Sequence, residues 1–244
     1  MEVHAHTHTE RKKWTHYLWE FLMLFLAVFC GFLAENWREH IVEGERGKQY
    51  IRSFYDDLHI NQTIFSRIID FNNQKMIVLN NMSSCYDTLL KNWKNTSCLV
   101  PLVKNSSSFI TVSFTEGTME QLKNAGGYRL LKKEDRDSII LYDKDVRNYK
   151  NGESTVFQQS QDIVRNNFSE LLDYQTNKLL SADSVNSLTK TPLLFSANKE
   201  LLNKFFNDLL RYKQTITWQS SWLIFLKERT TWLIDYFKAR YHFQ

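Results

Sequence analysis

The residues whose type and spacing could do chemistry most directly are three alternating histidines near the start of the chain, His4, His6 and His8. Imidazole nitrogens are common metal ligands. In an extended chain, however, the backbone must curl before all three rings can turn toward one ion. The pattern predicts a weak, flexible metal site at best, and a solvated tail without a metal is the favoured interpretation.

Two cysteines in the polar part of the chain, Cys85 and Cys98, could form a disulfide bond. In the chain-entropy model, closing a loop of this length is worth about 3 kcal/mol. Disulfides persist in oxidising compartments and are rare in the cytosol. The state of this pair therefore reports on which side of a membrane the polar part lies.

Catalytic signatures are otherwise missing from the sequence. It contains no HExxH, GxSxG, CxxC or Walker motif, and neither His40 nor His59 has a cysteine or serine at a recognisable spacing. The formal net charge of +4 is spread over intermixed signs, without the basic stripe that marks a nucleic-acid site. We therefore expect a protein that is not an enzyme, holds no cofactor and binds no nucleic acid.

One uncharged apolar run, from Phe21 to Ala34, indicates the cellular location of the chain. The run is shorter than the roughly 20 residues that span a hydrocarbon core, but aromatic residues flank it as they do at membrane interfaces. These residues are Trp14, Tyr17, Trp19 and Trp37. A helix from Trp14 to Trp37 rises about 34 Å. We therefore predict a transmembrane anchor at residues 14–37, with the lipid bilayer as its partner.

The anchor is expected to remain uncleaved. A cleavable signal needs small residues just before the cut, whereas bulky Phe32 stands at the key spacing. A lipoprotein signal is excluded in the same way, because Phe29 immediately precedes Cys30. Cys30 is then a small apolar residue that faces lipid or a neighbouring helix.

Two features of the anchor go beyond simple attachment. Glu20 lies about one turn inside the boundary, where an ionisable residue is a functional hypothesis by default, although a carboxylate that stays in the headgroup layer is favoured. Ala27 and Gly31, with Ala34 one turn on, form a small-residue face that lets helices approach closely. This face is a candidate site for association of anchors, although exposure to lipid is the favoured interpretation.

The rest of the chain, residues 38–244, has the composition of long helices. Two prolines and seven glycines in the whole sequence leave few helix breakers. Apolar residues recur at three- and four-residue steps over 38–94, 132–180 and 197–241. The first helix is either continuous with the anchor or broken near Gly44 and Gly47. The predicted fold class is all-α, with one transmembrane helix followed by an elongated antiparallel bundle of long helices.

Residues 95–131 interrupt this pattern as an insertion. Pro101 and a serine run mark a loop, with a short extended piece at 109–114. Threonines and a glutamate at 115–118 offer N-cap chemistry for a short helix, which the glycines Gly126 and Gly127 then end in a left-handed conformation. A second polar stretch, 181–191, is followed by Pro192 and turns the chain toward the last helix.

The second half of the last helix combines aromatic residues with lysines and arginines. Such a helix can lie on a membrane surface. The same composition suits a crowded bundle core whose basic residues reach out to water. Helical spacing of the apolar positions favours the core.

Two stretches resemble a known family. They are FLAENWREHIVEGERGKQYIRSFYDDL at 32–58 and FTEGTMEQLKNAGGYRLL at 114–131, the second with a GT-x3-LK-x2-GG-x-R pattern. Both are similar to an uncharacterised family of small single-pass membrane proteins of Bacteroidota. The resemblance implies an envelope location and a helical fold, and it carries over no catalytic residues.

Orientation follows from charge. Arg11, Lys12 and Lys13 are contiguous and close to the anchor, whereas the basic residues after it are mixed with glutamates. We therefore expect a disordered cytoplasmic tail at 1–13 and a periplasmic domain at 38–244, held in a bacterial inner membrane. The expected function is a structural or protein-interaction module of the envelope, with a protein partner or a homo-oligomer. The alternative is a sensory or small-ligand-binding domain that signals through a partner.

Overall fold

The computed structural model describes residues 14–106, 109–174, 178 and 198–243. These residues form an all-α fold, as the sequence predicts. The elements in chain order are α1 (Trp14–Asn80), α2 (Met82–Lys91), α3 (Leu99–Ser106), α4 (Gly117–Asn124), a 3₁₀ helix (Gly127–Leu130), α5 (Lys133–Leu171) and α6 (Lys199–Tyr241). The predicted tail at 1–13 and the predicted turn at 181–191 lie outside the described residues.

Helix α1 is one uninterrupted helix of 67 residues. It is about 100 Å long, and it passes through Gly44 and Gly47 without a break. Its N-terminal part is long and apolar enough to be a candidate membrane span, and none of that apolar window is buried against the rest of the protein. The first buried residue of α1 is Gly47. The bundle therefore begins about 15 Å along the helix from Trp37.

Helix α6 packs against both α1 and α5 and runs antiparallel to each. Residue numbers rise along α1 and α5 while those of their α6 partners fall. The pairs are Phe54 with Phe237 and Asn72 with Gln219 for α1, and Tyr142 with Thr230 and Ser160 with Thr215 for α5. Helices α1 and α5 are consequently parallel to each other, because the short elements between them bring the chain back to the start of the bundle.

The apolar stripes predicted from the sequence form two buried clusters. The cluster nearer the anchor contains Phe54, Leu58 and Phe65, and the farther one contains Leu79 and Phe205. Trp218 packs against both clusters. Gly152 allows this packing, because a Cβ there would lie 2.5 Å from Cζ2 of Trp218.

The aromatic half of α6 contributes mainly to the core. Leu223, Leu226, Leu233 and Phe237 are fully buried, which agrees with the favoured core interpretation. Among its aromatic residues, Phe225 and Trp232 are exceptions, with 42% and 51% of their surfaces exposed. Helix α6 begins with a side-chain N-cap, because Oδ1 of Asn198 accepts a hydrogen bond from the Glu200 amide at 2.8 Å.

The insertion differs from the prediction at one place. Residues 99–106 form the helix α3, where Pro101 and the serines predicted a loop. Pro101 is the third residue of α3, and proline is tolerated in the first turn because the amides there have no partner within the helix. Gly126 has φ 65°, the predicted left-handed conformation.

Candidate functional site at the junction of α1 and the joint

The stretches 32–58 and 114–131 pack against each other in the structure. We call residues 114–131 the joint. A Cβ on Gly47 would lie 2.5 Å from the carbonyl oxygen of Leu130, so the α1 backbone touches the joint directly. A Cβ on Gly127 would lie 2.9 Å from Cδ2 of Leu122 and 3.4 Å from Cε2 of Tyr50. Glycine at these two positions allows the close contact.

Polar side chains of α1 bind the backbone of the joint. Asn61 donates from Nδ2 to the Thr115 carbonyl at 3.1 Å, and its Oδ1 accepts from the Thr115 amide at 2.8 Å. The Thr118 amide donates to Oδ2 of Asp57 at 3.3 Å. The predicted N-cap chemistry at 115–118 is therefore wrong in its source. Glu116 is the N-cap residue but makes no side-chain cap, because Asp57 of α1 supplies the acceptor instead.

Ion pairs link the joint to the long helices on either side. Arg129 pairs with Glu43 of α1 at 3.4 Å. Lys123 pairs with Asp143 of α5, which is 2% exposed and is also bound by Arg147 at 3.0 Å. Two cations around one buried carboxylate compensate its lost hydration. The joint is thus attached to α1 by hydrogen bonds and an ion pair, and to α5 by ion pairs.

A buried polar cluster holds the chain just before the joint. Oε1 of Glu153 accepts hydrogen bonds from the Val112 amide at 3.3 Å, from the Tyr149 hydroxyl at 2.6 Å and from Nε2 of Gln219 at 3.0 Å. Asn72 donates to Oε1 of Gln219 at 2.8 Å. Burial, together with the Glu153 charge, raises the pKa of Tyr149 far above its ordinary value. All three long helices therefore contribute to fixing this segment.

The end of α6 is held at the start of α5 by one carboxylate. Asp135 is fully buried and accepts hydrogen bonds from the hydroxyls of Tyr236 at 2.7 Å and Tyr241 at 2.5 Å. Nε of Arg240 lies 3.1 Å from Oδ1 of Asp135, an ion-pair distance without hydrogen-bond geometry. Burial and the hydrogen bonds to Asp135 raise the pKa of both tyrosines to about 12. Both therefore stay protonated donors at neutral pH.

The polar contacts of the junction attach its elements to one another. Each buried carboxylate of the junction is already occupied by cations, hydroxyls or amides. Among the described residues, no group of three or more histidine, cysteine, aspartate or glutamate side chains could hold a metal ion. Two surface grooves lie elsewhere, on the outer side of α6, one beside Trp222 and Phe225 and one beside Ile224 and Trp232.

The structure places the other predicted residues as follows. His4, His6 and His8 lie outside the described residues. Cys85 and Cys98 are joined by a disulfide bond, with their Cα atoms 5.5 Å apart. This bond links α2 to the residue that precedes α3.

The candidate residues of the anchor all lie on the exposed part of α1. Glu20 is 3.1 Å from Nε2 of His16, one turn earlier. Ala27, Gly31 and Ala34 are exposed, and a Cβ on Gly31 would meet no atom within 4 Å. No tertiary contact within the described chain covers this face.

Sequence reasoning missed the polar residues of α1 that bind partners inside the fold. Asn61, Asn72 and Lys75 occupy positions in the apolar stripe of α1, at three- and four-residue steps from the buried apolar residues Leu58, Ile68 and Leu79. A polar residue at such a position is the signal that could have identified them, because it must find a partner inside the fold.

Comparison of this chain with protein-family models, with curated proteins and with solved structures finds no match.

Proposed function

We propose that this protein is a non-catalytic, membrane-anchored interaction module, whose helical bundle stands at the membrane surface and presents itself to a protein partner. One observation carries the proposal. A single helix continues from an unburied apolar stretch into the core of the bundle. Any force or tilt on the anchor therefore reaches the bundle through α1, without an intervening flexible link.

We further propose that the tail is cytoplasmic and the bundle periplasmic, in the inner membrane of a bacterial envelope. The Cys85–Cys98 disulfide supports this orientation, because such bonds persist in oxidising compartments. The basic cluster before the anchor supports the same direction.

Thiol labelling tests the orientation. In intact cells, an impermeant maleimide should label neither Cys85 nor Cys98 until an impermeant reductant opens their bond, after which both should react. Cys85→Ser should free Cys98 for labelling without reductant, which serves as the positive control. Thiols that react only after the inner membrane is permeabilised would show that the bundle is cytoplasmic.

A second copy of this chain is the partner that we propose for the anchor. Ala27 and Ala34 lie about half a helical turn from Phe54 around the axis of α1, at 3.6 residues per turn. The small-residue face therefore points away from the bundle core. Ile41 extends the same side of α1 outside the span and is 57% exposed. Two anchors can pair along this side without their bundles colliding.

Cys30 allows this pairing to be tested with the native sequence. It borders the small-residue face, and it is the free cysteine of the described chain. Oxidation in native membranes should produce a covalent dimer through Cys30. The double variant Phe29→Cys, Cys30→Ser places a thiol on the opposite side of the helix and should give at least several-fold less dimer. Equal yields from both positions, or no dimer from either, would contradict the proposed pairing.

A further inference from the structure

The end of the bundle nearest the anchor carries a basic surface, which we call the basic collar. It consists of Arg46, Arg129, Lys132 and Lys133, all of which are exposed. From Lys123 to Lys133 the chain contains four basic residues and no acidic one. The collar combines residues of α1, the joint and the start of α5, so only the folded junction brings them together.

The geometry of α1 places the collar near the bilayer. Arg129 pairs with Glu43, which lies about 9 Å along the helix from Trp37, and Leu130 touches Gly47 at about 15 Å. The headgroup layer extends about 5 to 8 Å beyond the hydrocarbon core. A lysine side chain and a modest helix tilt cover much of the remaining gap. Fixed charges at this distance lie within about one Debye length of the headgroup phosphates.

The charges of the collar are only partly neutralised within the protein. Arg129 has Glu43 as its partner. For Arg46, Lys132 and Lys133 the described chain shows no ion pair. Glu134, the nearest carboxylate in sequence, pairs with Arg240 at 3.2 Å. Glu39 and Glu120 are the carboxylates of α1 and the joint that offset part of this charge.

The position of the two lysines adds to the argument. Lys132 immediately precedes α5, and Lys133 is its first residue. The N-terminus of a helix carries a partial positive charge, so cations there are unfavourable unless an anion is close. Because α5 runs parallel to α1, this end of α5 faces the membrane side of the bundle. Glu134 and Asp135 in the first turn of α5 already offset part of this positive charge, and a phosphate group from outside the protein would add to that compensation.

We infer that the basic collar binds the anionic headgroups of the bilayer that holds the anchor. The inference rests on the proposed membrane anchoring. It adds which surface of the bundle contacts the bilayer and which class of lipid that surface binds. Binding at the collar would fix the tilt of the bundle relative to the membrane, because the collar lies on the side of α1 that carries the bundle. The outer sides of α1 and α6 then remain available for protein contacts.

Hydrogen exchange of the full chain in nanodiscs tests the inference. We expect the amides of residues 123–133 to exchange about fivefold more slowly in discs that contain phosphatidylglycerol than in pure phosphatidylcholine, the effect of roughly one basic residue held at an anionic surface. High salt should abolish the difference. Lys132→Gln with Lys133→Gln should also abolish it. The matched control, Lys91→Gln with Lys94→Gln at the far end of the bundle, should retain it.

Each outcome decides the inference. Equal exchange in the two lipids for the wild-type chain at low salt would overturn it, and so would an equal loss in the far-end control. A different result would overturn the anchoring itself: the chain would fail to enter nanodiscs, and alkaline carbonate would extract it from membranes. Stable incorporation without lipid-dependent exchange would leave the anchoring intact and refute the collar alone.

Discussion

Replacing Gly47 by alanine should lower the free energy of unfolding of the bundle by about 1–3 kcal/mol, the usual cost of overpacking a close contact. The added Cβ would lie 2.5 Å from the Leu130 carbonyl oxygen and 3.3 Å from its carbon. Both are backbone atoms, so they cannot move aside as the end of a flexible side chain could. The joint must then separate from α1. Urea unfolding of the full chain in detergent micelles, followed by circular dichroism, measures the loss.

Gly44 provides a matched control three residues earlier on the same helix. A Cβ on Gly44 would meet nothing within 4 Å. Alanine there should raise stability by about 0.5–1 kcal/mol, because glycine in a helix costs about that much relative to alanine. If Gly47→Ala were as stable as Gly44→Ala, close packing of the joint on α1 would be refuted. Hydrogen exchange should also quicken at residues 127–131 in Gly47→Ala alone.

Replacing Lys75 by methionine should remove a pH dependence from the stability of the bundle. Lys75 is 1% exposed, and Nζ donates to the Tyr212 hydroxyl at 2.8 Å. The ring of Phe71 lies 4.8 Å from the same nitrogen. In the described chain no carboxylate pairs with Nζ, and Asp208, one turn from Tyr212, pairs with Arg211 at 3.5 Å. Burial lowers the pKa of Lys75 from 10.5 to about 8.

The direction of the effect follows from proton binding. Between pH 8 and 10.5 the unfolded chain keeps the lysine proton, whereas the folded chain has released it. The free energy of unfolding should therefore rise with pH over this range, by a total of about 3 kcal/mol. This stability is fully present above pH 10.5 and is lost as the pH falls through about 8.

Lys75→Met should consequently be more stable than the wild type at pH 7 by about 1–3 kcal/mol, since the unpaired buried charge at this position is removed. Its advantage should shrink as the pH approaches 9.5. Urea unfolding at a series of pH values measures both chains. The exposed control Lys91→Met should follow the wild-type curve. Parallel curves for the wild type and Lys75→Met would show that Lys75 is solvated and keeps its ordinary pKa.

The sequence alone identified the features that depend on local composition. The candidate membrane span follows from an apolar run between tryptophans, and the long helices follow from periodic apolar residues with few prolines and glycines. The left-handed Gly126 follows in the same way from a helix that must end. Each of these features depends only on residues that are close together in the sequence, so the residue pattern of a single stretch is sufficient to predict it.

The error at α3 also has a local cause. Pro101 breaks a helix in its interior but not in its first turn, and the sequence does not say which turn the proline will occupy. Where α3 begins depends on the chain around Cys98, which the disulfide holds against α2. A contact between distant residues thus decided a choice that propensity left open.

The junction itself was decided by the tertiary structure. The residues that contact each other at the junction are far apart in the sequence. The pairs are Gly47 with Leu130, Asn61 with Thr115 and Asp135 with Tyr241. Each contact forms only when folding brings the two segments together. From the sequence, Gly47 appeared as a possible break in the helix, and Asp57 had no predicted role. The structure makes the first a site of close contact and the second a cap for α4. Composition and periodicity reveal which helix faces must be buried. A buried polar group, however, needs a specific hydrogen-bond partner that is distant in the sequence, and only the folded chain determines which residue that partner is.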